Sequence, residues 1–202
     1  WKASSILLIK YNWFNMDKER FKNLKMAIKF LVDSIDENYG GSRAYFSRLY
    51  NPLYGWSSMY PETSGYIIPT FLKYSKRFDS GLARGKAIIL ADWLLSIQNS
   101  DGSFPGLLYT KNNQSKSIFN SAQIIIGLVS IYKYNGSKDY LDALLKCAKW
   151  IVENQNNDGS WSKYNYQFDY TPSYYTRVSW PILMASEISG DKNLKRAAIK
   201  TL

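Results

Sequence analysis

Apolar positions recur along the chain at three- and four-residue spacing in long blocks, and no stretch alternates long enough to predict a strand. Lys18 to Ile35 reads as an amphipathic helix followed by the breaker Gly40-Gly41-Ser42. Tyr66 to Tyr74 is apolar nearly all round, as in a helix covered on several sides. Asp79-Ser80-Gly81 interrupts it, with Ser80 the expected N-cap of a helix from Leu82 to Ile97 that carries Ala87, Leu90, Ala91 and Leu94 on one stripe. The next block repeats the order: an apolar helix from Gln123 to Tyr134, a break at Asn135-Gly136-Ser137, and an amphipathic helix from Leu141 to Asn154.

The two blocks are copies. Residues 57 positions apart match without a gap: Ser64 with Ser121, Ile67-Ile68 with Ile124-Ile125, Ala91 with Ala148, Trp93 with Trp150. The phrase Gln98-Asn-Ser-Asp-Gly-Ser-Phe104 returns as Gln155-Asn-Asn-Asp-Gly-Ser-Trp161. A third block begins near Tyr174, where Ser179-Trp-Pro-Ile-Leu-Met184 echoes Ile67-Ile-Pro-Thr-Phe-Leu72, and passes through Ser189-Gly190-Asp191. The first half of an earlier hairpin is expected near Ser4 to Phe14. The pattern predicts an all-α domain over 1–202, built of tandem helical hairpins that form an incomplete α/α toroid with inner and outer helices. Hairpin units fall at about 1–62, 63–119, 120–174 and a truncated 175–202. Trp1 at the start, and a last block that stops within a helical pattern, predict a piece of a longer protein in which a leader would not be visible.

The repeated phrase reads as a joint. Glycine after aspartate is turn chemistry, and a glutamine amide at a helix end can bond open carbonyls or a neighbour's backbone. Phe104 or Trp161 would cover the joint. Active sites are seldom duplicated around a ring, so repetition favours a structural role.

Gln-x-x-x-Gly-x-Trp after a Trp-bearing helix resembles the QW repeat of squalene and terpenoid cyclases, and this resemblance implies an α/α barrel. The chain lacks the Asp-x-Asp-Asp and Asp-Asp-x-x-Asp motifs of those cyclases, and it has no histidine for a prenyltransferase zinc site. Tyr60-Pro-Glu-Thr-Ser-Gly-Tyr-Ile-Ile-Pro69 and the segment from Trp93 to Phe104 resemble a second group, the α/α toroids of carbohydrate metabolism. Six-hairpin glycosidases, glucuronyl epimerases and toroid proteins of polysaccharide-biosynthesis gene clusters belong there. That likeness implies a saccharide ligand and transfers no catalytic assignment.

Charge and composition narrow the chemistry. Lys and Arg outnumber Asp and Glu 26 to 16, a surplus of +10 that attracts polyanions. The basic residues lie scattered along helical faces, and no helix-turn-helix or RNA-binding signature accompanies them, so nucleic acid is not the expected partner. The absence of histidine excludes a Ser-His-Asp or Cys-His machine and leaves no zinc site, and no cofactor is expected. The single cysteine, Cys147, reads as a small core residue. It leaves the compartment open, with the cytoplasm as the default. No apolar run reaches membrane-spanning length, and oligomeric state is not readable.

In a toroid the loops from outer to inner helices surround one mouth; here they are 40–62, 99–119 and 156–174. They are long, and they depart from the repeat. Among the carboxylates, only Glu62 and Asp169 lie where such loops meet inner helices. Glu62 opens a helix, whose dipole favours the ionised carboxylate, and it is either part of the helix start or an acid/base facing a sugar with Asp169 as partner. Asp169 lies in a segment, 164–175, with five tyrosines in twelve residues. Tyr170, Tyr174 and Tyr175 there, with Trp56, Tyr60 and Tyr109, offer ring faces to a saccharide. Asn120 completes the mouth, and Arg43 and Arg177 suit a uronic acid carboxylate.

Three functions remain open at this point. The first is a carbohydrate-active protein that acts on or binds an oligosaccharide or polysaccharide, neutral or uronic-acid-containing, and as an enzyme would be a hydrolase or a sugar epimerase or lyase. The second is a terpenoid-cyclase-like protein acting on an isoprenoid. The third is a helical-repeat module that binds without catalysis.

Overall fold

The computed structural model describes residues 17–49, 55–112, 115–165 and 173–202, so the helix expected near Ser4 to Phe14 lies outside the described residues. These residues group into two compact units that divide after Asp33. The first contributes helix α1, Lys18–Asp33. The Asp17 carboxylate accepts from the Arg20 N–H at 2.8 Å and caps its start, and Lys29 pairs with Asp33 near its end.

In the second unit, Ser34–Leu202, the regular structure of the described residues is helical. Its elements are α2 Pro61–Phe78, α3 Gly81–Ile97, α4 Ile118–Asn135, α5 Lys138–Glu153, α6 Thr176–Ser189 and α7 Lys192–Lys200, with a 3-10 turn at Ser173–Tyr175. Each consecutive pair is a hairpin. Ser80 caps α3 through the Ala83 N–H, as its position predicts, and Gly136 ends α4 in the left-handed conformation.

Two rows follow from who packs on whom. The helices expected to be inner, α2, α4 and α6, pack side by side in one row, and those expected to be outer, α3, α5 and α7, follow one another in a second. Helix α4 sits between α2 and α6 and against α5, and it is buried from Ile118 to Val129 without interruption. Helix α2, expected to be covered on several sides, buries one face only and exposes Thr70 and Lys73. Within this unit it has one inner-row neighbour where α4 has two.

The inner row is tight where glycine removes the side chain. A Cβ on Gly65 would lie 2.8 Å from the Ile124 Cα, and one on Gly127 would lie 2.6 Å from the Gly65 carbonyl. Helices α2 and α4 therefore touch backbone to backbone. In the outer row, the Tyr140 hydroxyl of α5 bonds Asp92 of α3 at 2.5 Å. Cys147 is fully buried in α5, with its thiol against the Ser121 carbonyl.

The repeated phrase is a joint between successive hairpins. The Gln98 amide donates to Gly102 in its own turn at 3.0 Å and to the Ala143 carbonyl of α5 at 2.9 Å. Gln155 does the same one repeat later, to Gly159 at 3.1 Å and to Ala197 of α7 at 3.0 Å. In each turn the aspartate accepts from the N–H and hydroxyl of the serine two residues on. Burial pushes the Asp101 carboxyl upward, but hydrogen bonds from Lys116 and Ser103 outweigh it and hold the group at about 2. Phe104 and Trp161 are fully buried beneath, the indole N–H of Trp161 bonding the Ile151 carbonyl at 2.9 Å.

The joint makes a measurable demand on glycine. Gly102 has φ +96 and stands where a Cβ would meet the Lys146 carbonyl oxygen at 2.6 Å, whereas Gly136 has φ +71 and open space around it. Gly136→Ala is expected to cost about 1–2 kcal/mol for the left-handed backbone alone. Gly102→Ala adds a clash with fixed backbone and is expected to cost roughly 1–3 kcal/mol more, as overpacking does. Urea denaturation of the two variants side by side measures the difference.

Candidate functional site

The N-terminal ends of the three inner helices meet, because every hairpin returns the chain to the same end. Pro61 occupies the first position of α2, where its missing N–H costs nothing, and Tyr60 before it is extended. The hydroxyls of Thr63 and Ser64 both donate to the Tyr60 carbonyl at 3.0 Å, which fixes the entry of the chain. Glu62 follows Pro61 in the first turn, partly buried.

The Glu62 carboxyl is hydrogen-bonded to the hydroxyls of Tyr60 and Tyr66, and both bonds act to lower its pKa. Burial raises its pKa above the ordinary 4.5, and this outweighs both hydroxyls and the Arg177 charge. Tyr66 is pushed up in turn, to about 12, by burial first and then by the charge on Glu62.

Neighbouring helices complete the cluster. From α4, the Asn120 amide donates to the Tyr60 hydroxyl at 3.2 Å, and the Gln123 side-chain oxygen accepts from the Tyr66 hydroxyl at 2.9 Å. From α6, Arg177 reaches the Tyr66 hydroxyl at 3.4 Å and lies over the Phe119 ring, 6.0 Å from its centre. The Gln123 amide bonds the Arg177 carbonyl at 3.3 Å and ties α4 to the start of α6.

Of the residues expected at the mouth, Glu62, Tyr60, Asn120 and Arg177 come together here. Tyr174 meets the edge of Phe119 at 5.1 Å and is exposed, while Tyr175 stacks on Phe119 at 5.9 Å and is buried. Tyr175 thus serves packing, its ring also meeting Trp161. Asp169 and Tyr170 lie outside the described residues.

Arg43, Trp56 and Tyr109 gather at a different place, a cleft of about 630 Å³. One wall is residues 34–49 and 55–60, joined as a ribbon by isolated antiparallel bridges, Ile35 to Ser42, Arg43 to Met59 and Phe46 to Trp56. The loop after α3 docks on it through the Tyr109 N–H, which bonds the Met59 carbonyl at 2.7 Å. Arg43, expected to read a substrate carboxylate, is already paired with Asp36 at 2.6 Å.

Sequence reasoning passed over Tyr66, Gln123 and Asp36. Gln123 carried a usable signal, because an amide in the long apolar run of α4 needs a partner once buried. Asp36 carried none, since its partner is set by the fold of the ribbon.

Compared with known proteins, the chain matches no family model and no curated protein sequence. Among the described residues no helix is long and apolar enough to cross a membrane, and no group of three or more His, Cys, Asp or Glu side chains could hold a metal.

The raised Glu62 pKa has a sign in stability. Folding favours the protonated carboxyl, so its contribution is complete below the unfolded value of 4.5 and is lost as pH rises through the raised folded value. Glu62→Gln cannot ionise and is expected to escape that loss. Denaturation of both proteins from pH 4.5 upward should show the variant gaining on the parent as pH rises.

Proposed function

We propose that the chain belongs to an α/α toroid of the carbohydrate-active kind, with its mouth at the N-terminal ends of the inner helices. It acts there on an oligosaccharide containing uronic acid. The reading rests on one observation: a partly buried carboxyl with a raised pKa, Glu62, flanked by two tyrosine hydroxyls, with the exposed guanidinium of Arg177 reaching in from α6. A carboxyl of that kind keeps its proton closer to neutral pH and can deliver it to a leaving glycosidic oxygen. Arg177 supplies the cation for a substrate carboxylate, and Tyr174 an exposed ring face beside it. Asn120 and Tyr66 hold the hydroxyl and guanidinium in register.

The charged and amide groups around Glu62 weigh against an isoprenoid, which needs an apolar cavity. Binding without turnover has one observation in its favour. Both hydroxyls that hold Glu62 belong to its own helix or the residue just before it, which is how a merely anchored carboxylate would look.

Turnover separates the two. On a panel of oligouronides assayed for new reducing ends or unsaturated products, Glu62→Gln is expected to lose about 100-fold or more in kcat. Arg177→Ala is expected to raise KM about tenfold, the loss of one charge-assisted contact. Undiminished turnover by Glu62→Gln would sink the catalytic reading.

A further inference from the structure

The cleft beside the ribbon of residues 34–49 and 55–60 differs from the Glu62 mouth in the one property that selects a ligand, its charge. Among the described residues lining it, the charged ones are Asp36 and Arg43, and they neutralise each other at 2.6 Å. In a chain of net charge +10, this is a concave surface without surplus charge. A phosphate or uronate would find its cation already engaged there, and an aliphatic chain would meet three serines and an ion pair.

The pair is also built to stay in place. Only 27% of the Arg43 side chain and 13% of the Asp36 side chain are exposed. One Asp36 oxygen accepts from the N–H groups of Asn38 and Tyr39, at 2.9 and 3.0 Å, and the other takes Arg43. The pair therefore presents guanidinium donors and a carboxylate acceptor side by side, fixed by backbone. Adjacent hydroxyl groups on one molecule, each able to donate and accept, match that arrangement.

The aromatic walls are equally fixed. The Trp56 ring rests edge-on against Phe46 at 5.1 Å, and the Tyr109 ring rests edge-on against buried Trp93 at 5.5 Å. Rings held this way lose little rotamer freedom when a flat ligand stacks on them. Tyr39 and Tyr45, both about half exposed, stand at the opening. The volume of about 630 Å³ is that of a small-ligand site.

We propose that this cleft binds a neutral pyranose ring, with Trp56 and Tyr109 as its stacking faces and the Asp36–Arg43 pair holding two neighbouring hydroxyls. It is a subsite separate from Glu62, and it rests on the saccharide reading above only for the origin of such a ring, a neutral unit of the same oligosaccharide. Recognition at Glu62 and Arg177 is charge-based, whereas recognition in the cleft is not.

Isothermal titration of the whole chain with cellohexaose, maltohexaose, mannohexaose and xylohexaose, and with hexagalacturonate for contrast, tests the assignment. At least one neutral oligosaccharide is expected to bind with an affinity that salt leaves unchanged. Trp56→Ala and Asp36→Asn should each weaken it about tenfold or more, the loss of one stacking or charge-assisted contact. Asp36→Asn keeps the oxygen that receives the Asn38 and Tyr39 N–H groups, so it remains informative if Trp56→Ala does not fold. No binding to any neutral member, or unchanged affinity in a folded Asp36→Asn variant, overturns the proposal. So does a loss confined to hexagalacturonate. The cleft variants read binding and Glu62→Gln reads turnover, so either assignment can fail while the other stands.

Discussion

One primary amide, placed once in each complete hairpin, sets the relation between successive hairpins. Gln98 and Gln155 each hold their own turn and the backbone of the next outer helix with the same nitrogen. The glycine beside each bond has no side chain, which lets the turn lie directly on Lys146 or Lys200. This contact carries the 57-residue repeat into space. With the outer helices held in step, the inner helices start at one level, and the loops that precede them gather at one end. Stability in such an array is carried largely from neighbour to neighbour. The position of Glu62 against Arg177 thus depends on joints that touch neither residue.

The helices were legible because helical periodicity and turn residues are local signals. Ser80 capped its helix as its position implied, and each helix of the two full hairpins appeared in order. The α2 burial pattern was not legible, since an apolar run looks the same whether one neighbour covers it or two. At the site, Glu62, Arg177 and Asn120 were found by asking where the copies depart from each other. Their partners Tyr66 and Gln123 escaped that search because they lie inside helices, away from the loops. Arg43 and Asp36 show a further limit: the sequence displays a cation, but only the ribbon reveals that its charge is spent.

The Glu62 cluster and the ribbon cleft differ in how their charges are met. Around Glu62, burial raises the carboxyl's pKa against the pull of two hydroxyls and the Arg177 charge. In the ribbon cleft the two charged lining residues, Asp36 and Arg43, are paired with each other. The two are joined through consecutive residues, since Met59 lines the cleft and Tyr60 contacts Glu62.

The glycine contact between α2 and α4 has a mechanical consequence. Backbone against backbone leaves no side chain between Gly65 and Gly127, so the starts of α2 and α4, with Glu62 and Asn120, are spaced by main chain alone. Helix α6 meets α4 differently at this end, through the Gln123 amide and the Phe119 and Tyr175 rings, groups that can turn. The cluster consequently has one border spaced by main chain, on the side of Glu62, and one spaced by side chains, on the side of Arg177.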